Sequence, residues 1–263
     1  MWRTLLLCCI LALQAAAAQP TPRVAIIIDD LGNNIVSGEQ ALALPGALTY
    51  AVLPQLPYSA EIARRAHAAG REVMLHLPMQ SLDGRALGPG ALTQAMDRDE
   101  FARTLRTSLA SVPHVAGVNN HMGSLLTGNA AAMRWLMEDL ACHDRLYFID
   151  SRTDVRTLAA RHAREAGLRH AERDVFLDHV QDEVEITAQF RRLIELARRD
   201  GSAIGIGHPY PETLAVLARE LPLLQGEGIE LVPASRLVEQ ERSHRLWHAS
   251  SSPWPTVAKN SRP

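Results

Sequence analysis

Short apolar, β-branched runs alternate with longer amphipathic stretches along most of this chain, and that rhythm restricts its fold more than any other feature. The runs are RVAIII from Arg23, LTYAVL from Leu48, EVMLHL from Glu72, VAGVNN from Val115, LYFID from Leu146, DVFLD from Asp174, AIGIG from Ala203 and IELVP from Ile229. Unbroken apolar runs of this length read as strands buried on both faces, the habit of parallel sheets. Between them, stretches with apolar residues at helical spacing begin at Ser59, Asp99, Ala130, Val155, Glu183 and Pro211. Several start after Ser, Thr or Asp and several stop at Gly, as capped helices do. Strand and helix in repeated alternation predict a parallel sheet with helices outside it. Seven or eight repeats in roughly 220 residues favour closure into a (β/α) barrel of seven to eight strands; periodicity alone leaves an open doubly wound sheet as the alternative.

The two ends of the chain break the rhythm. Residues 1–18 carry Arg3, an apolar core from Leu5 to Leu13, and Ala16 and Ala18 at the spacing of a signal-peptidase site. This predicts a secretory signal cleaved near Ala18–Gln19 and a periplasmic mature protein without a transmembrane segment, because the apolar core falls short of the ~18 residues a span needs. Removal of the leader leaves Cys142 as the only cysteine, so the exported protein has no internal disulfide and must be stable through its core. After about Glu239 the pattern gives way to Ser and Pro; residues 240–263 read as a disordered tail, and residues 19–239 as one barrel domain. Net charge is -2 and the only lysine is Lys259, with no basic cluster interleaved with aromatics, which argues against a nucleic-acid partner.

In a barrel, chemistry concentrates where strands end and the following loops begin. Following the strands in order, those positions hold Asp29 and Asp30, Pro54, His76, the group Asn119, Asn120 and His121, Asp150 with Ser151, Asp178, His208 and Ser235. Any one of them is unremarkable as a cap or hydrogen-bond partner; two Asp and three His on a single rim form a pattern. The adjacent carboxylates of Asp29 and Asp30 repel unless a proton, donors or a cation holds them. A divalent cation resolves this: Asp30, His76 and His121 supply one carboxylate and two imidazoles from three strands, the composition of a catalytic zinc site. Asp29 is then placed to accept a proton from water and His208, in GIGHPYPET, to protonate a leaving group.

At these residues the chain resembles the divergent polysaccharide deacetylases of the NodB-like carbohydrate esterases, through IIIDDLG, MLHLPMQ, GVNNHMGS, YFIDSRT, VFLD, IGIGHPYPET and LVPAS, spanning about Arg23 to Val238. The resemblance implies a distorted barrel of the triosephosphate-isomerase type. It implies Asp29 as general base, Asp30 and His76 as metal ligands and His208 as general acid. It also implies Asp150 and Asp178, which match positions typical of this branch, as residues that orient a ligand or a substrate hydroxyl; Asn120 is a further candidate for that role. The broader family takes both imidazoles from H-x-x-x-H, whereas here Gln80 stands four residues after His76, so His121 must replace the second imidazole or the site is weakened. His67, His143, His162 and His170 fall outside the motifs and read as surface residues.

The expected activity is metal-dependent removal of acetyl groups from N-acetylated sugars of a periplasmic glycan. Two alternatives stand beside it. One is a glycan-binding or envelope-assembly module that keeps the rim without turnover; the other is a retaining glycosidase pairing Asp29 with Asp150 or Asp178.

Overall fold

The computed structural model describes residues 20–238. The leader and the tail read from the sequence lie outside the described residues.

The strands are β1 (Arg23–Leu31), β2 (Thr49–Val52), β3 (Glu72–Met79), β4 (Val115–Met122), β5 (Tyr147–Asp150), β6 (Arg169–Glu172), β7 (Val175–Phe176), β8 (Ser202–Gly207) and β9 (Glu230–Leu231). All pair in parallel in one nine-stranded sheet of order β6-β5-β4-β3-β2-β1-β8-β7, with β9 also on β1. The terminal strands of that order, β6 and β7, are consecutive in sequence and separated only by Arg173 and Asp174. The sheet therefore curls into a barrel whose ring is joined at one seam by covalent chain instead of a hydrogen-bond ladder.

Alternation along β1 explains why its apolar run is unbroken. Val24, Ile26 and Ile28 join an outer cluster with helix residues such as Ile62, Phe101, Leu136 and Leu193. Ala25 and Ile27 point the other way and fill the barrel with Ala51, Met74, Tyr147, Ile149, Ile204 and Ile206. Burying each large aliphatic side chain contributes about 1.5–3 kcal/mol, so both clusters hold the curl in place. At the amino-terminal base, Glu72 Oε1 accepts from Thr49 Oγ1 at 2.8 Å, Tyr147 Oη at 2.8 Å and the Ser235 amide at 3.2 Å. Tyr147 can lie there because β4 has a glycine: a Cβ at Gly117 would sit 2.4 Å from the Tyr147 ring.

The helices α1 (Ile35–Leu42), α2 (Ser59–Ala68), α3 (Arg98–Ser111), α4 (Ala130–Ala141), α5 (Ala159–Glu165), α6 (Glu183–Asp200) and α7 (Pro211–Glu220) follow their strands. Capping is explicit: Asn34, Asp97, Asn129 and Asp182 accept first-turn amides of α1, α3, α4 and α6, and Gly201 closes α6 with φ 88°.

All eight expected strands are present, and the (β/α) barrel is correct as a class. The sequence reading missed two elements. Helix α1 was hidden by Gly38, which is needed because a Cβ there would meet Ile62 Cδ1 at 2.5 Å. Strand β6, RHAE, has no apolar run, and it carries His170, which is buried and not at the surface as expected. Helix α5 starts at Ala159, since Asp154 and Arg156 close a turn where the helix was expected to begin at Val155. Among the described residues no helix is long and apolar enough to cross a membrane.

Candidate metal centre and active site

The alternation that fills the barrel also builds its mouth. Asp29 follows Ala25 and Ile27 at two-residue spacing, His76 follows Met74, and His208 follows Ile204 and Ile206. In the β3–β4 register His76 stands opposite Asn119, and His121 follows two residues on. Each strand therefore delivers its side chain to one layer above the apolar interior. Asp30 ought to point outward. Instead its backbone adopts φ 59°, and the β1–β2 register shifts between Ile28 and Leu31, so two consecutive carboxylates share one space. Left-handed backbone at a non-glycine residue is tolerated best by Asn and Asp, and strain of this kind clusters at functional sites.

Asp30 Oδ1 lies 3.1 Å from His76 Nε2 and 2.9 Å from His121 Nδ1, and those two nitrogens are 3.0 Å apart. Asp30 Oδ1 is buried yet makes no well-aligned hydrogen bond. Three lone-pair atoms thus face one point, with edges near the roughly 3.3 Å that tetrahedral zinc imposes on neighbouring ligand atoms. Among the described residues this is the one group of His, Cys, Asp or Glu side chains able to hold a metal ion. The donor set fits a divalent cation.

Asn119 fixes the rest of the arrangement. Its Nδ2 donates to Asp29 Oδ1 at 2.8 Å, and since a carboxylate only accepts, the amide oxygen must face His76. His76 Nδ1 lies 2.8 Å from that oxygen, so the imidazole proton sits on Nδ1 and Nε2 keeps its lone pair for the cluster. The two carboxylates are driven in opposite directions. Burial raises the Asp29 carboxyl above its ordinary value, only partly offset by His76, His208 and Asn119. Burial also pushes Asp30 up, but the imidazoles of His121 and His76 overcome it and hold Asp30 ionised well below the usual carboxylate range. Separation of this sort marks a division of labour between acid–base groups.

His208 is held from behind. Its Nδ1 is 2.9 Å from Asp178 Oδ1, while Asp178 Oδ2 accepts the His208 amide at 2.6 Å and Thr213 Oγ1 at 2.8 Å. Nε2 faces the cluster, 3.8 Å from Asp30 Oδ2. Burial alone would lower the imidazole; the bond to Asp178, then the charges of Asp29, Asp178 and Asp30, raise it to about 9. The rings of Phe176 and Tyr210 flank His208, each 5.5 Å between centroids.

The structure brings Asp29, Asp30, His76, His121, Asp178 and His208 together and leaves two expected residues outside. Asn120 donates to the Met122 carbonyl and accepts from the Ser151 amide, which ties β4 to the loop after β5. Asp150 accepts from the Arg152 amide and Thr157 Oγ1, shaping that same loop. The oxygens of Asp150 and Asp178 are thus occupied by loop, ring and hydroxyl donors. Gln80 is engaged elsewhere: its Oε1 accepts from the Gln94 amide and its backbone carbonyl from the Leu125 and Leu126 amides, pinning the loop after β3. The role of Asn119 was missed, though its place two residues before His121 on one strand face was the available signal.

Fold and site together define a (β/α) barrel with a metal-competent Asp-His-His cluster at its mouth and the titratable side chains of Asp29 and His208 beside it. A family model described as divergent polysaccharide deacetylase matches residues 26–238, and the chain belongs to that family. It is 42% identical over 235 residues to the uncharacterized protein YibQ of Escherichia coli, covering 88% of this chain and 73% of that one. The solved structure of uncharacterized protein ATU2773 from Agrobacterium tumefaciens aligns with TM-score 0.80 and 25% identity over 84% of this chain and 91% of that one. Peptidoglycan deacetylase PdaC from Bacillus subtilis shares the fold, with TM-score 0.52 and 15% identity over 88% of this chain and 98% of that one.

Proposed function

We propose that this protein is a metal-dependent hydrolase that removes acetyl groups from N-acetylated sugars of a glycan, and that it acts in the periplasm after cleavage of its leader. The observation that carries the reading is the convergence of Asp30 Oδ1, His76 Nε2 and His121 Nδ1 beside a carboxylate of raised pKa. One carboxylate and two imidazoles suit zinc. Zinc bound there supplies positive charge that polarises an amide carbonyl and acidifies a water. Asp29, whose burial makes it a stronger base than an exposed aspartate, takes a proton from the attacking water. Asn119 keeps Asp29 and His76 in register with each other. His208, protonated at neutral pH, gives a proton to the departing amine from the other side, and Asp178 holds its ring and stabilises its charge. The fold likeness to a peptidoglycan deacetylase supports a cell-wall type of glycan.

Metal analysis of the purified protein, paired with release of acetate from N-acetylated oligosaccharides, tests this. Near-stoichiometric zinc that drops sharply in His121→Ala, together with acetate release, is the expected result. Zinc occupancy unchanged in His121→Ala would show the ligand set to be wrong; bound metal without any hydrolysis would favour a glycan-binding module.

A further inference from the structure

Two polar groups at the mouth take no part in this chemistry. In the sheet register Asn119 stands beside Ile149, and Tyr147 and Ile149 beside Arg169 and Ala171. Ser151 and Arg173 come next at two-residue spacing, on the parity by which Tyr147 and Ile149 fill the barrel and Ala171 packs against them. The Arg173 amide continues the ladder by donating to the Asp150 carbonyl at 2.9 Å. Both residues therefore belong to the layer that contains Asp29, His76 and His121. The Ser151 hydroxyl is buried and has no hydrogen-bond partner. The Arg173 guanidinium is pinned, with Nε 2.7 Å from the Ser151 carbonyl and Nη2 3.0 Å from the Arg152 carbonyl, 5.1 Å from the centre of the Phe176 ring.

All the groups that guanidinium touches directly are neutral: among the described residues no carboxylate lies within ion-pair distance of it, although Asp29, Asp150 and Asp174 are near enough to act on its charge. Its own burial and the nearby Arg152 charge weaken its hold on the proton, while the charges of Asp29, Asp150 and Asp174 oppose them without overcoming them. A half-buried cation with only carbonyl partners is incomplete, since buried charges are ordinarily matched by an opposite charge. Guanidinium N–H groups in a rigid fork match a carboxylate in particular.

We propose that the acetylated sugar bound here carries a carboxylate, and that Arg173, aided by the Ser151 hydroxyl, binds it. The inference rests on the deacetylase reading and specifies its substrate class: an acidic N-acetylated sugar in place of a neutral one. Arg173 is a specificity residue in this account.

Ligand-observed NMR titration of the full chain tests it, with neutral N-acetylglucosamine against N-acetylglucosaminuronic acid and N-acetylmuramic acid. At least one acidic sugar should bind about tenfold more tightly than the neutral one, the yield of a single charge-assisted contact. Arg173→Gln should erase the preference. Arg173→Lys, which keeps the charge without the fork and guards against a folding defect, should retain part of it. Ser151→Ala should weaken the acidic sugar alone, and raised salt should shrink the preference. Equal binding of neutral and acidic sugars, or a preference that survives Arg173→Gln, overturns the assignment and leaves deacetylation standing. Binding of none of the three overturns both.

Discussion

The base and the mouth of this barrel both hold carboxylates partly withdrawn from solvent, and the molecule treats them in opposite ways. At the base, Glu72 Oε1 is satisfied by a hydroxyl, a phenol and a backbone amide. At the mouth, Asp30 Oδ1 is buried without an aligned donor, and its lone pair converges with those of two imidazole nitrogens on one point between them. Satisfaction marks a structural group and convergence without satisfaction marks a functional one, because a protein tolerates unspent polar atoms only where something else completes them. Residue type alone would not have separated the two.

The sharpest way to break this comparison is at Asp30. Asp30→Asn keeps a residue that accepts left-handed backbone but replaces an anionic oxygen with a neutral amide, so zinc occupancy and activity should fall together and excess zinc should restore part of both. Occupancy by metal analysis checks this. Asp29→Asn should separate what Asp30→Asn joins: metal stays, while turnover drops by ~10²–10⁴, the usual contribution of a positioned acid or base. Identical behaviour of the two variants would end the division of labour argued for them.

A smaller effect is expected at Asp178. Asp178→Asn removes the leading contribution that raises the His208 imidazole to about 9. His208 must carry its proton to act as acid, so activity is lost as pH rises through its pKa. A lowered pKa therefore moves the alkaline limb of kcat/KM to lower pH, by about one unit if a charge-assisted bond is lost. A limb that stays in place would mean His208 is not the acid. The smallest effect on chemistry belongs to the base. Glu72→Ala leaves Tyr147, Thr49 and the Ser235 amide without their acceptor and should cost about 1–3 kcal/mol, read as a lower Tm, with zinc content unchanged. Loss of zinc in that variant would erase the distinction between the two ends.

Much of the fold was legible because strands buried on both faces cannot hide: the run from Val24 to Ile28 announces itself. Strand β6 did not, since Arg169, His170 and Glu172 interrupt any apolar signal and only pairing with β5 makes them a strand. Its loss concealed Arg173 as well, because a residue's face cannot be assigned on an unrecognised strand. The co-location of Asp29, Asp30, His76, His121 and His208 could be read from their shared position at strand ends. The turn that aims Asp30 inward could not, because a positive φ at a non-glycine residue leaves no trace in composition. Nor could the place of Gln80, whose amide looks like a lost ligand in sequence and is a loop fastener in space.

The seam between β6 and β7 makes the chain itself the clasp of the barrel. The metal-competent trio rides on β1, β3 and β4, and Asp178 and His208 follow β7 and β8, all within one uninterrupted run of laddered strands. Arg173 sits in the two-residue link itself. The Arg173 amide donates to the Asp150 carbonyl on one side and the Asp174 amide to the Ile204 carbonyl on the other, so the ring is closed there through the single peptide bond between them, and any change of circumference at the mouth must pass through that bond.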